Sequence, residues 1–166
     1  MPQRILLAVD GSDTSWRALR EAVKFARPDD VVRVVNVVEG PIGLYPIVPS
    51  SCLDVEKVRD GLIDEGQRLL GEAFVKLRDE GVQADARSID LRVWGGTIAD
   101  AILREAERWH ADVLVLGTHG RRGVRRLMFG SVAEQVLRQA HRPVLLVAGN
   151  TVHATSAGRP IARAGD

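Results

Sequence analysis

The sequence predicts an α/β fold built on a doubly wound parallel sheet, and three observations lead there. Short runs rich in Val, Ile and Leu at residues 4–9, 31–38, 113–116 and 144–147 have no helical period, as befits strands covered on both faces. Stretches with apolar residues at helical spacing separate these runs. Turn residues mark the junctions, so the chain alternates strand and helix and calls for right-handed crossovers.

The first strand, Arg4 to Val9, runs into the turn Asp10-Gly11-Ser12-Asp13. Ser12 or Asp13 can cap a helix whose buried stripe is Trp16, Leu19, Ala22, Val23 and Ala26, stopped by Pro28. Val31 to Val38 is the second strand. From Glu39 to about Leu53, three prolines and two glycines make a long irregular connection. A long helix follows, with Val55, Val58, Leu62, Leu69, Leu70, Ala73, Phe74 and Leu77 on one face. Gly61, Gly66 and Gly71 weaken its start, and Gly81 suits a left-handed cap. Val82 to about Ile89 is a weaker, alternating strand, as at a sheet edge. After Trp94-Gly95-Gly96, Thr97 can cap a helix carrying Ile98, Ala101, Ile102, Ala106 and Trp109. Val113 to Leu116 is the fourth strand. Ser131 begins a helix with Val132, Ala133, Val136, Leu137 and Ala140 facing inward, and Val144 to Val147 closes the sheet after Pro143. One domain over residues 1–149 and a disordered tail from Asn150 are expected.

Composition narrows the partners. The 23 basic and 22 acidic residues give a net charge of +1, so bulk attraction to nucleic acid or membrane is not implied. Cys52 is the only cysteine, which excludes an internal disulfide and reads as an idle thiol. The apolar run ILLAV ends at Asp10, too short for a signal-peptide core or a membrane span, and a cytoplasmic setting is expected.

In a doubly wound sheet, ligands bind beyond the carboxyl ends of the strands where the strand order reverses. Here the loops at those ends are Asp10-Gly11-Ser12, Val38-Glu39-Gly40 and GTHGRRGVRRLMFGS, residues 117–131. In the last of these, glycines allow close backbone approach, and the helix start at Ser131 supplies donors and partial positive charge, which together suit phosphate. Arg121, Arg122, Arg125 and Arg126 add cations, some facing the site and the others solvent. The spacing is neither that of a P-loop nor of the dinucleotide fingerprint. A turn that merely reverses the chain, or a solvated basic face, would also produce such a loop.

Gly117, two residues, Gly120, nine residues and then Gly130-Ser131 resembles the nucleotide-binding signature of the universal stress protein family, in its ATP-binding branch. The resemblance extends over Ala8-Val9-Asp10-Gly11-Ser12, Asn36-Val37-Val38-Glu39, and from Gly130 to Val147. It implies strand order 3-2-1-4-5, flavodoxin-like and Rossmann-like, with dimers formed through the last strand and ATP bound with a divalent ion, Mg2+, on its phosphates. By position it places Asp10 at the ribose or metal-side edge and the Val37 backbone against adenine, with Ala8 and Val9 along the same wall. Gly117, Gly120, Arg121, Gly130, Ser131 and Val132 would surround ribose and phosphates. Trp94-Gly95-Gly96 and the long Gly40 to Leu53 connection depart from the family's pattern.

No catalytic residue is assigned. Residues 117–131 contain no carboxylate to accept a proton from an attacking water, and Asp10 and Glu39 are the nearest candidates. His110, His119, His141 and His153 lack zinc-site spacing. The resemblance, with the missing base, implies a regulatory or sensor protein of the stress response that binds ATP and has an unidentified protein partner. A slow ATP-hydrolysing or adenylating enzyme and a nucleotide-free dimeric interaction module are the alternatives.

Overall fold

The computed structural model describes residues 1–40, 54–119 and 130–149. Five parallel strands, β1 (Arg4–Ala8), β2 (Val31–Val38), β3 (Gln83–Asp90), β4 (Val113–Gly117) and β5 (Val144–Val147), form one sheet in the order β3-β2-β1-β4-β5. The order reverses between β1 and β4, as the sequence implies. The helices among the described residues are α1 (Asp13–Phe25), α2 (Val55–Asp79), α3 (Leu91–Trp94), α4 (Ile98–Arg108) and α5 (Ser131–Gln139). None of them is long and apolar enough to cross a membrane.

Strand alternation divides the core into two layers. Ile5, Leu7, Val32, Val34, Val113 and Val115 face Ala18, Leu19 and Ala22 of α1 and Leu70, Ala73 and Leu77 of α2. Leu6, Val35, Leu114 and Leu116 face Ala99, Ile102 and Ala106 of α4 and Ala133 and Val136 of α5. Both faces of the sheet are covered, so its strands read as nearly continuous apolar runs. Each fully buried Ile or Leu contributes roughly 1.5–3 kcal/mol.

The second layer also buries an ionic network. Glu105, on the inner face of α4, is 1% exposed. Its Oε1 accepts a hydrogen bond from Arg33 Nη1 at 2.9 Å, and Arg87 Nε lies 3.1 Å from Oε2. Arg33 also pairs with Asp85 across β2 and β3, and its guanidinium lies 4.7 Å from the centre of the Trp109 ring. The two guanidinium groups offset part of the cost of burying that carboxylate.

The helix ends follow local chemistry. Ser12 caps α1 by accepting from the Ser15 N–H, and Thr97 with Asp100 forms a reciprocal capping box on α4. Gly81, at φ +76°, ends α2 while the Val82 N–H donates back to Leu77 O at 3.0 Å. Two local features differ from the sequence expectation. Residues 91–94 form a helical turn, capped by Asp90 and ended by Gly95 at φ +66°; four residues are too few to display a period. The α2 helix also runs unbroken through Gly66, where an added Cβ would lie 2.5 Å from Asn36 Oδ1. That glycine serves close packing on β2 rather than a weak start.

The third strand pairs with β2 in register from Val31↔Gln83 to Val38↔Asp90 and forms the sheet edge expected of it. The Gly40 to Leu53 connection with Cys52 lies outside the described residues, apart from Gly40 itself, and so does the tail from Asn150.

Candidate functional site

At the carboxyl ends of β1 and β4 the strand order reverses, the place where doubly wound sheets form a ligand cleft. The turn after β1 is held by side-chain oxygens. Asp10 Oδ1 accepts from the Ser12 N–H at 3.0 Å and from Ser12 Oγ at 2.6 Å. With its proton given to Asp10, Ser12 Oγ still accepts from the Ser15 N–H at 3.2 Å. Thr14, on the first turn of α1, donates to the carbonyl of His119 just beyond β4. Asp10, Ser12, Thr14 and His119 therefore join the β1 turn to the β4 exit.

The β4 exit is itself pinned. The Thr118 N–H donates to Val147 O at 2.9 Å, and the Gly130 N–H donates to Thr118 O at 2.7 Å. The two ends of the glycine-arginine loop thus meet beside β4. Gly117 lies so close to α1 that a Cβ there would sit 2.7 Å from Thr14 Oγ1 and 2.9 Å from the Thr14 carbonyl carbon. Its glycine is required by packing, whatever else passes over it. Gly130 is the N-cap of α5 and brings no side chain to the helix start, so that end offers main-chain donors and partial positive charge to a ligand. Ser131 is exposed on the first turn of α5, and Val132 is half-buried beside it.

The apolar wall forms on one face. Ala8, Val37 and Val132 all pack as half-buried side chains against the layer beneath α4 and α5. Val9 does not share it: strand alternation turns its side chain, 3% exposed, into the layer under α1 and α2. Val9 can reach the cleft only through its main chain, where its N–H donates to Val35 O at 2.9 Å and its carbonyl accepts from Asn36 Nδ2 at 2.8 Å.

At the margin beyond β3, Asp90 accepts from Arg59 of α2 at 2.7 Å and from the Arg92 N–H at 2.9 Å. Burial alone would raise its pKa, but these hydrogen bonds and the Arg59 charge outweigh it and hold the carboxyl below its ordinary range. The ion pair fastens the start of α2 to the end of the edge strand.

Of the residues singled out in the sequence, Ala8, Val37 and Val132 come together on one wall, and Asp10, Gly117, Gly130 and Ser131 gather along the rim. Gly120, Arg121, Arg122, Arg125 and Arg126 lie outside the described residues. Sequence reasoning gave no role to Thr14 or to Asn36. Thr14 carried a signal in the Asp-Gly-Ser-Asp-Thr run of hydroxyl and acidic residues, whereas Asn36 was hidden inside an apolar strand.

Comparison with known proteins places this cleft in context. The chain matches the Universal stress protein family over residues 1–148. It is 33% identical over 147 residues to a universal stress protein of Methanocaldococcus jannaschii, covering 87% of this chain and 81% of that protein. A universal stress protein from Archaeoglobus fulgidus, solved in complex with dAMP, superposes with a TM-score of 0.62 at 26% identity, over 89% of this chain and 98% of that one. A universal stress protein solved in complex with cAMP gives a TM-score of 0.60 at 25% identity, over 89% and 97% of the two chains. The family match and the shared strand order lead to one conclusion: the chain belongs to the universal stress protein family.

Proposed function

We propose that the protein binds an adenine nucleotide, ATP with Mg2+ in its working form, in the cleft above β1, β2 and β4, and acts as a cytoplasmic regulatory or sensor protein of the stress response. The observation that carries this reading is the convergence of three features at one rim. These are the half-buried wall of Ala8, Val37 and Val132, the acceptor Asp10, and the side-chain-free start of α5 at Gly130. A flat apolar wall suits a base, a carboxylate suits ribose hydroxyls or a metal, and a helix start suits phosphate. The complexes of relatives with dAMP and cAMP support the same class of ligand. Gly120 and Arg121 complete the phosphate side in this reading.

The residues present suit a phosphate-borne Mg2+. Among the described residues no group of three metal-ligating side chains occurs, so those residues offer no all-protein cage. Mg2+ held chiefly by phosphates and water needs one carboxylate, which Asp10 supplies at the rim. The metal would neutralise phosphate charge, while Asp10, Ser12 and the α5 start orient the nucleotide. Residues 117–131 carry no carboxylate to activate water, which favours holding over cutting.

The second copy in a homodimer covers β5, the sheet edge whose Val144, Leu145 and Leu146 are only half-buried.

Titration of the purified chain with AMP and ATP, with and without Mg2+, tests the proposal. Saturable binding strengthened by Mg2+ for ATP, with turnover below about one per second, is expected. An empty site that ignores millimolar ATP and Mg2+ favours the interaction module, and faster turnover favours the enzyme. Replacing Gly130 with Val removes close approach at the α5 start, and binding should be lost while a sedimenting dimer persists.

A further inference from the structure

Asn36 stands in the middle of an apolar strand, 5% exposed, yet it carries the only side-chain amide described in the core. Its Nδ2 donates 2.8 Å to the carbonyl of Val9, on the neighbouring strand's last turn before Asp10. The geometry around this contact is specific. In a parallel pair the main-chain groups of alternate residues face the same neighbour. The Val31 N–H bonds to Gln3 O and the Val9 N–H to Val35 O, so residues 31, 33, 35 and 37 of β2 face β1. The pairing of the two strands ends at Ala8↔Val35. Val9 O is the next acceptor in line for the Val37 N–H, yet among the described residues no such main-chain bond occurs, and the Asn36 amide sits on that carbonyl instead.

We propose that Asn36 is a positioning residue that ends the β1–β2 ladder one rung early, so that the Val37 N–H and C=O face the cleft. The proposal rests on the nucleotide-binding reading, to which the Val37 main-chain edge already belongs, and adds the buried amide that keeps that edge unzipped. A neighbouring N–H and C=O match a base edge that offers an acceptor beside an amino donor, as adenine does. Gly66 belongs to the same device. A Cβ there would lie 2.5 Å from Asn36 Oδ1 and 3.2 Å from Val38 Cγ2, so only glycine lets α2 close over the amide without displacing it.

Site-resolved amide exchange on the full chain, with AMP titration, is the test. In the nucleotide-free protein the Val37 amide should exchange much faster than that of Val35 and slow when AMP binds. In Asn36→Ala, Val37 should zip onto Val9: its amide becomes protected without nucleotide, and AMP affinity falls by about tenfold or more. Gly66→Ala, which keeps the amide but pushes it aside, should move both readouts the same way and serves if Asn36→Ala does not fold. A Val37 amide as protected as Val35 in the nucleotide-free wild type overturns the proposal. So does an Asn36→Ala protein with unchanged exchange at Val37 and unchanged affinity. If the wild type binds no adenine nucleotide, the functional reading fails, while the exchange contrast at Val37 still decides the local claim.

Discussion

The two ends of the sheet treat their polar groups in opposite ways. At the amino end, charged side chains are turned back onto the main chain. Asp30 accepts from the Gln3 N–H at 2.6 Å and the Arg27 N–H at 2.8 Å, and Asp112 accepts from the Arg4 N–H at 2.7 Å. Arg4 donates to Trp109 O, and Arg142 donates to the carbonyls of Ala106 and Ala111 where α4 runs into β4. At the carboxyl end the strands stop at different heights, a hydroxyl cluster bridges β1 to β4, and the α5 helix start is capped by a glycine. The first end closes the fold on itself, whereas at the second the glycine N-cap of α5 brings no side chain to the helix start. A doubly wound sheet needs one end of each kind, because loops that bind must be carried by strands fixed elsewhere.

Substitutions can break this contrast, beginning with the structural side. Glu105→Ala removes the buried carboxylate that Arg33 and Arg87 share, while Arg33 keeps Asp85, and should cost about 1.5–3 kcal/mol, read as a fall in the urea midpoint. If the nucleotide site is separate, affinity measured well below that midpoint should not change. Asp30→Ala leaves two main-chain N–H groups without their acceptor and should cost about 1–3 kcal/mol.

The same carboxylate carries a pH signature. Burial acts to raise the Asp30 pKa, but the Gln3 and Arg27 N–H groups more than offset it and the result is lowered. A carboxyl whose pKa falls on folding stabilises fully above its unfolded value, near pH 4, and that contribution is lost as pH drops through the folded value. Asp30→Asn should therefore show a shallower loss of stability below about pH 4 than the wild type. An unchanged acid limb in thermal melts would remove Asp30 from that role.

On the open side, Gly117→Ala forces a methyl against the first turn of α1 and should cost about 1–3 kcal/mol by overpacking. It should also weaken nucleotide binding, because Ser12 and Asp10 move with that turn. The smallest effect is expected for Ser12→Ala, about 1 kcal/mol from the lost cap, with a modest loss of affinity as Asp10 loses the Ser12 hydroxyl and keeps the Ser12 N–H.

The two ends also differed in how far the sequence disclosed them. Glycine spacing after β4 and the turn after β1 were readable because glycine and small polar residues have few other uses at a strand end. Strand order beyond the reversal came from the family likeness, since periodicity alone does not rank parallel strands. The residues that escaped notice act across long separations. Asn36 sits in a Val-rich run and finds its purpose only through Val9 and Gly66. Glu105 occupies a helical position that faces the core, and only the approach of Arg33 and Arg87 explains a carboxylate there. Val9 beside Ala8 shows the converse limit: neighbours in a motif point to opposite faces of a strand, so one of them contributes only main chain.

The most direct measurement is a site-resolved map of backbone amide shifts during titration with AMP and with ATP and Mg2+. Changes should concentrate at residues 8–10, 36–38, 117–119 and 130–132, with Gln3, Asp30, Glu105 and Asp112 left in place. Changes centred on the amino end, or none at millimolar nucleotide, would contradict the assignment of the open rim as the nucleotide site.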